Sequence, residues 1–221
     1  MNTEALWAEI RRNMGCHTLD SQSQRLTEQA LAHLQAQAAP KRLWRMFPIT
    51  WQDHAPLLGA TPLEGQDIRK HLQGCEAAVI MGATLSFSAE TALRRMAAED
   101  MALAVVADAV AAAMVEQLCE ETEQEIRSHV PYPFVTQRFS PGYGDLPLHT
   151  QPALLRMLDA GRTLGITATA QHILLPQKSV TAVLGCSHSP VQDARKGICG
   201  VNCKGCPQED TCPSRCGTAE N

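Results

Sequence analysis

Two stretches of the chain carry side chains whose types and spacing could do chemistry. The first, Arg138-Phe-Ser-Pro-Gly-Tyr-Gly144, sets a guanidinium, two glycines and a phenol on a strand-to-loop transition. A guanidinium pairs bidentately with a carboxylate, and Tyr143 offers a stacking face with a polar tip. Gly142 and Gly144 let the backbone approach a ligand closely or adopt positive φ. The same residues would also build a tight turn closed by a surface salt bridge, and residue types alone do not separate the two. There is no GxxxxGK[ST] or GxGxxG, so a nucleotide phosphate is not the natural ligand, and GxSxG, HExxH and kinase-like sets are missing too. Asp53 and Asp145 have no evident acid/base partner and read as solvated or capping carboxylates.

The second stretch is Cys199-x3-Cys203-x2-Cys206-x5-Cys212-x3-Cys216, which holds five of the nine cysteines. Five thiols this close together can converge on one metal, and Gly197, Gly200 and Gly205 permit the tight turns required. Cys206-Pro207 and Cys212-Pro213 are pairs common around iron–sulfur ligands, but the spacing is neither the ferredoxin run nor two CxxC pairs at zinc-ribbon distance. A [4Fe–4S] cluster, structural Zn²⁺, and a disulfide-bonded or unstructured tail remain open. Cys199, Cys203, Cys206 and Cys212 are the favoured four ligands, with Cys216 the fifth candidate and Cys186 a weaker one. Cys16, Cys75 and Cys119 read as small apolar fillers.

The chain has 221 residues, 44% of them hydrophobic and 19% charged, with a formal net charge of -4. That composition is globular and argues against nucleic acid or an anionic membrane surface as the main partner. The most apolar window, Met101 to Val115, contains Asp108 and is bounded by Asp100 and Glu116, so it reads as too short to span a bilayer. The first residues lack a signal-peptide h-region. The expectation is a soluble, cytoplasmic protein whose cysteines stay reduced. With only 4% aromatic residues, its core must be built from Ala, Leu, Val, Ile and Met.

The elements that must position these groups follow from periodicity and caps. Helices are expected from Thr3 to about Met14, from Asp20 or Ser21 to before Pro40, from Gly65 to Leu72, and from Ser88 onward. A long Ala-rich helix is expected between Ala98 and Val130, with Leu103, Val106, Val110, Met114 and Leu118 on one face. Thr150 should cap a further helix reaching Leu164, with Pro152 in its first turn and Gly165 beyond its end. Strands are expected at Leu43 to Ile49 (interrupted by Pro48), Ala77 to Met81, Phe134 to Phe139, Ile166 to Leu175 and Ser179 to Gly185. Strands and helices mix without βαβ alternation, so the fold class is α+β with a largely antiparallel sheet.

On Arg138 to Pro147, the following DLPLHTQ helix start, PQKSVTAVLG (Pro176 to Gly185) and GCEAAVIMGATL (Gly74 to Leu85), the chain resembles the S-adenosylmethionine-binding activation domain of cobalamin-dependent methionine synthase, in a stand-alone bacterial form. The resemblance covers residues 1–185 and leaves 186–221 as a Cys-rich tail. It implies a curved domain with a twisted antiparallel sheet, S-adenosylmethionine in a shallow groove, and a corrinoid protein docked over it. By that likeness Arg138 holds the methionine carboxylate, and Ser140, Pro141 and Gly142 line the ligand, Ser140 and Gly142 through their backbone. Tyr143 lies between ligand and corrin, as the residue nearest the chemistry. The implied role is an accessory protein, or a methyltransferase-like corrinoid reactivase, that restores oxidised cob(II)alamin by reductive methylation. Its implied partners are a corrinoid protein or methyltransferase and a possible electron donor. That electron requirement favours iron–sulfur over zinc in the tail.

The chain departs from the family's pattern at two places. The family's glutamate on the long helix aligns with Ala112, leaving Glu116 one turn later as the ligand-facing carboxylate, and its Thr-Glu-Ser is here Thr169-Ala170-Gln171, followed by His172. His172 could face the corrinoid or simply line the surface. The alternatives are a corrinoid-protein binder that has lost its methyl donor and a zinc-stabilised scaffold of a methyltransferase system.

Overall fold

The structure, a computed structural model, describes residues 3–191. Contacts gather Met1–Val191 into one compact unit. The five tail cysteines, Cys199, Cys203, Cys206, Cys212 and Cys216, lie outside the described residues.

Helices α1 (Thr3–Asn13) and α2 (Ser21–Gln37) each bury one stripe: Leu6 and Ile10 from the first, Thr27, Ala30 and Leu34 from the second. Asp20 caps α2 by accepting the Ser23 N–H at 2.7 Å. Strand β1 (Lys41–Gln52) runs through Pro48 instead of breaking there. It pairs with β4 (Ala77–Thr84) over Lys41–Pro48 and with β2 (Ala55–Leu58) from Ile49 onward. The Ile49 N–H reaches the Glu76 carbonyl, so the N–H that proline lacks falls on the other side of the strand, before β2 begins. Strand β3 (Thr61–Pro62) and the short helix α3 (Gln66–His71) complete this edge.

Helices α4 (Ser86–Glu99) and α5 (Met101–His129) meet at Asp100. Its N–H closes α4 on the Met96 carbonyl, and its carboxylate accepts the Ala102 N–H at 2.8 Å to start α5. The helix expected between Ala98 and Val130 is therefore α5, which starts at Met101, and Asp100 is the cap that separates it from the helix expected from Ser88. By length and composition α5 could cross a membrane, because it runs on past Glu116, where the apolar window was expected to end. Here its apolar side is spent inside the domain, packed against α1, α2, α4 and β4.

The six-stranded sheet is antiparallel in the order β3-β2-β1-β4-β8-β5, with β5 at Phe134–Val135 and β8 at Ser179–Ser187. The expected α+β class with an antiparallel sheet is the one observed. Alternation sorts β4 and β8 cleanly. Ala77, Val79, Met81, Ala83, Ala182, Leu184 and Cys186 form one core with Cys119 and Ile126 of α5. Ala78, Ile80 and Val183 pack on the other face with Leu72, Leu154 and Leu158. Burying one such Leu or Ile contributes about 1.5–3 kcal/mol, and small residues let α5 approach closely enough to do it.

Three further expectations are corrected. The helix expected from Thr150 to Leu164 is a 3-10 turn (Leu148–Thr150), then α6 (Gln151–Leu158) and α7 (Ala160–Thr163). Asp159, left-handed at φ 54°, breaks it, and aspartate tolerates that conformation better than most residues. Thr150 is buried and makes no side-chain cap. Ile166 to Leu175 is no single strand but a hairpin of β6 (Thr167–Ala168) and β7 (Leu174–Leu175). The strand expected from Phe134 to Phe139 keeps only its first two residues in the ladder and rejoins β8 at an isolated bridge, Phe139 to Val183.

Candidate functional site

That broken strand positions Arg138. Val135 pairs with Cys186 and Phe139 with Val183. Three residues (Thr136, Gln137, Arg138) therefore oppose two (Gly185, Leu184), which defines a β-bulge. Thr136 explains it: its main-chain N–H donates to the Gly185 carbonyl at 2.9 Å, and its Oγ1 accepts the Gly185 N–H at 2.8 Å in place of a main-chain carbonyl. The Thr136 carbonyl, released from the ladder, accepts from Arg127 Nη2 at 3.0 Å, and the Val135 carbonyl accepts from Arg127 Nη1. Arg138 thus leaves the ladder and turns towards α5.

Beyond the bulge the loop folds on itself. Gly142 N–H donates to the Leu146 carbonyl at 2.8 Å and Tyr143 N–H to the Ser140 carbonyl at 3.0 Å, while Pro141 and Leu146 are buried. Gly142 stands at φ 94°, and a Cβ there would meet Leu148 at 3.1 Å, so the position requires glycine. Asp145 fastens the loop by accepting the N–H groups of Gln66 (2.6 Å) and Asp67 (3.0 Å) at the start of α3. Those two bonds hold its carboxyl below the usual carboxylate range. Tyr143 stays half exposed, edge-on to Phe139 with centroids 6.3 Å apart.

On α5, Glu116, Cys119 and Glu123 share one face at spacings of three and four residues. Glu116 Oε2 lies 3.1 Å from Arg138 Nη2, and Glu123 Oε1 pairs with Arg138 Nε. Glu123 also faces Arg127 at 3.5 Å. Burial works against the Arg138 charge, but Cys119, Glu116 and Glu123 outweigh it and hold its pKa above the ordinary value. Burial raises Glu123 although both arginines oppose it. Burial, then Glu116, raises the Tyr143 phenol against the pull of Arg138, so it stays protonated at neutral pH. Cys119 lies beneath Arg138, with its thiol pushed up to about 12 mainly by burial; it fills the core, as expected, and also floors this cluster. Glu9 of α1, which is paired with Arg12, and Glu120 lie close to Glu116.

The structure therefore brings together Arg138, Glu116 and Tyr143, with Ser140, Pro141 and Gly142 in the same loop. Ala112 sits one turn before Glu116, half-buried, and Ala170 is exposed at the β6–β7 hairpin tip. His172 adopts φ 65°, its buried Nδ1 has no hydrogen-bond partner, and its ring stands 6.5 Å from that of His149. Among the described residues no three His, Cys, Asp or Glu side chains converge as a metal centre would require. Cys186 is buried beside Cys75, and burial raises both thiols to about 11, the opposite of a thiolate ligand. Clefts lined by Trp51, His54 and Arg69, and by Trp7, Arg11 and His17, lie on other parts of the surface.

Sequence reasoning missed Glu123, Arg127, Thr136 and Glu9. The repeat Glu116, Glu120, Glu123, Arg127 along one side of an otherwise Ala-rich helix was the available signal.

Against solved structures, the chain is similar to a crystal structure of the MetH reactivation domain bound to AdoHcy. The TM-score is 0.53 and the identity 15%, over 81% of this chain and 70% of that one. The chain has the reactivation-domain fold. No protein-family model and no curated protein matches it. The segments Arg138–Pro147 and Pro176–Gly185 meet through the Phe139–Val183 bridge, and just beyond the first segment Thr181 Oγ1 donates to Gln151 Oε1.

Proposed function

We propose that the chain binds S-adenosylmethionine on the Arg138–Tyr143 face and serves the reductive reactivation of a corrinoid carried by a partner protein. One observation carries this reading. In a reactivation-domain fold, a β-bulge aims an arginine out of the sheet beside a half-exposed tyrosine and a helix-borne carboxylate.

The donor set suits the ligand. Arg138 supplies a fork for an amino-acid carboxylate, and the backbone of Ser140 and Gly142 forms the adjoining wall, with the buried Pro141 stiffening the turn between them. Glu116 favours a cation, which answers the loss of carboxylates at positions 112 and 170. When bound, S-adenosylmethionine supplies an electrophilic methyl group. Tyr143, kept as a neutral phenol, screens that group from water and presents a flat face to a docked corrin. The tail thiols are assigned a [4Fe–4S] cluster, or otherwise Zn²⁺, from their spacing and from the need for an electron.

Calorimetric titration with S-adenosylmethionine tests the donor site. A saturable one-site isotherm is expected, and no heat at millimolar ligand would refute it. A second reading, a corrinoid-protein binder without a methyl donor, is favoured by one feature: Arg138 is already satisfied by two carboxylates of its own chain. The absence of an isotherm would select that reading. Brown, anaerobically purified protein with visible charge-transfer absorption is expected for the cluster; colourless protein containing stoichiometric zinc would contradict it.

A further inference from the structure

The two carboxylates on Arg138 differ in how firmly they are placed. Glu123 is the more buried, its side chain 16% exposed against 37% for Glu116. Glu123 holds Nε and is shared with Arg127, which also grips the bulge carbonyls. Among the described residues Glu116 has no cation but Arg138, which it meets at Nη2. With Nε taken by Glu123, the pair of donors left to a bidentate carboxylate is Nη1 and Nη2, and Glu116 sits on one of them.

Building on the S-adenosylmethionine reading, we propose that Glu116 is a displaceable occupant of the ligand's carboxylate position and Glu123 a fixed positioning residue. An incoming carboxylate takes Nη2 and expels Glu116. The freed Glu116 lies close to Glu9, whose charge Arg12 already answers, and one turn from Glu120, so its own charge is met directly when the ligand also brings a cation. The exchange thereby selects ligands carrying both charges of an α-amino acid head and disfavours those with a carboxylate alone. Glu123 stays in place and keeps the fork aimed, so it acts through Arg138 rather than on the ligand.

The test titrates AdoHcy and its deamino analogue, which keeps the carboxylate and lacks the ammonium, into wild type, Glu116→Gln and Glu123→Gln. Glu116→Gln should bind the deamino analogue about twofold to fivefold more tightly than wild type does, the range for removing a partly exposed ion pair. The same variant should lose most of the preference for AdoHcy over the analogue. Glu123→Gln should weaken both ligands alike while circular dichroism stays native. Equal or weaker binding of the analogue by Glu116→Gln, with AdoHcy still bound by wild type, overturns the exchange and leaves the binding reading standing. Failure of every chain to bind AdoHcy overturns both.

Discussion

Arg138 is the centre of the proposed site, where the shape of its fork would count as much as its charge. Arg138→Lys keeps the charge and loses the bidentate geometry. S-adenosylmethionine affinity should fall about tenfold or more, in line with the 1.5–3 kcal/mol typical of a hydrogen bond to a charged group; an unchanged isotherm would remove Arg138 from the site. Asp145 acts instead on the loop. Its carboxyl is held low by the Asp67 and Gln66 N–H groups, so its contribution is present above the ordinary carboxylate pKa and lost as pH falls through the lowered one. Asp145→Asn should therefore flatten the drop in thermal midpoint below about pH 4, and an acid limb identical to wild type would count against that cap. Residue types singled out Arg138 and Tyr143 at a glycine-rich turn, but their ligand roles rest on the family resemblance, since the same types also build a plain turn. Glu123 was not singled out, because a glutamate on a helix reads as solvated until a partner distant in sequence is known.

Among the elements, the bulge between β5 and β8 is the one on which the proposed binding face depends. Thr136 is 1% exposed, and its Oγ1 accepts the Gly185 N–H and contacts His71 Nε2 at 2.8 Å. Thr136→Val preserves shape but strands that N–H, which should cost about 1–3 kcal/mol. Urea denaturation should show the loss, with S-adenosylmethionine affinity falling alongside it; native stability would mean the bulge does not depend on this hydroxyl. A strand at Phe134 to Phe139 was readable, but a bulge is a mismatch in count between two strands, and one strand's sequence does not contain the other's count. The same blindness hid the hairpin within Ile166 to Leu175 and the break at Asp159, where backbone conformation overrode pattern. Strong local signals held: Asp20 as the cap that starts α2, and the strand expected at Ala77 to Met81, which is β4 and extends to Thr84.

Across the molecule, the low aromatic content has a structural counterpart. Ala107, Ala109, Ala111 and Ala113 of α5 are buried, and the helix packs against α1, α2, α4 and the sheet. One helix thus packs along the core and presents Glu116 and Glu123 to Arg138, so the candidate site is built between α5 and the bulged strand. The α+β class and antiparallel sheet were legible from the mixing of strands and helices without βαβ alternation; the strand order and the closeness of α5 to Arg138 are long-range facts that local periodicity does not encode. The most direct check is a crystal structure of the protein grown with AdoHcy. The ligand's amino-acid head should lie on Arg138 beside Tyr143, with Glu116 moved off the guanidinium and Glu123 unmoved. AdoHcy bound elsewhere, with the Arg138–Glu116 pair intact, would contradict the assignment.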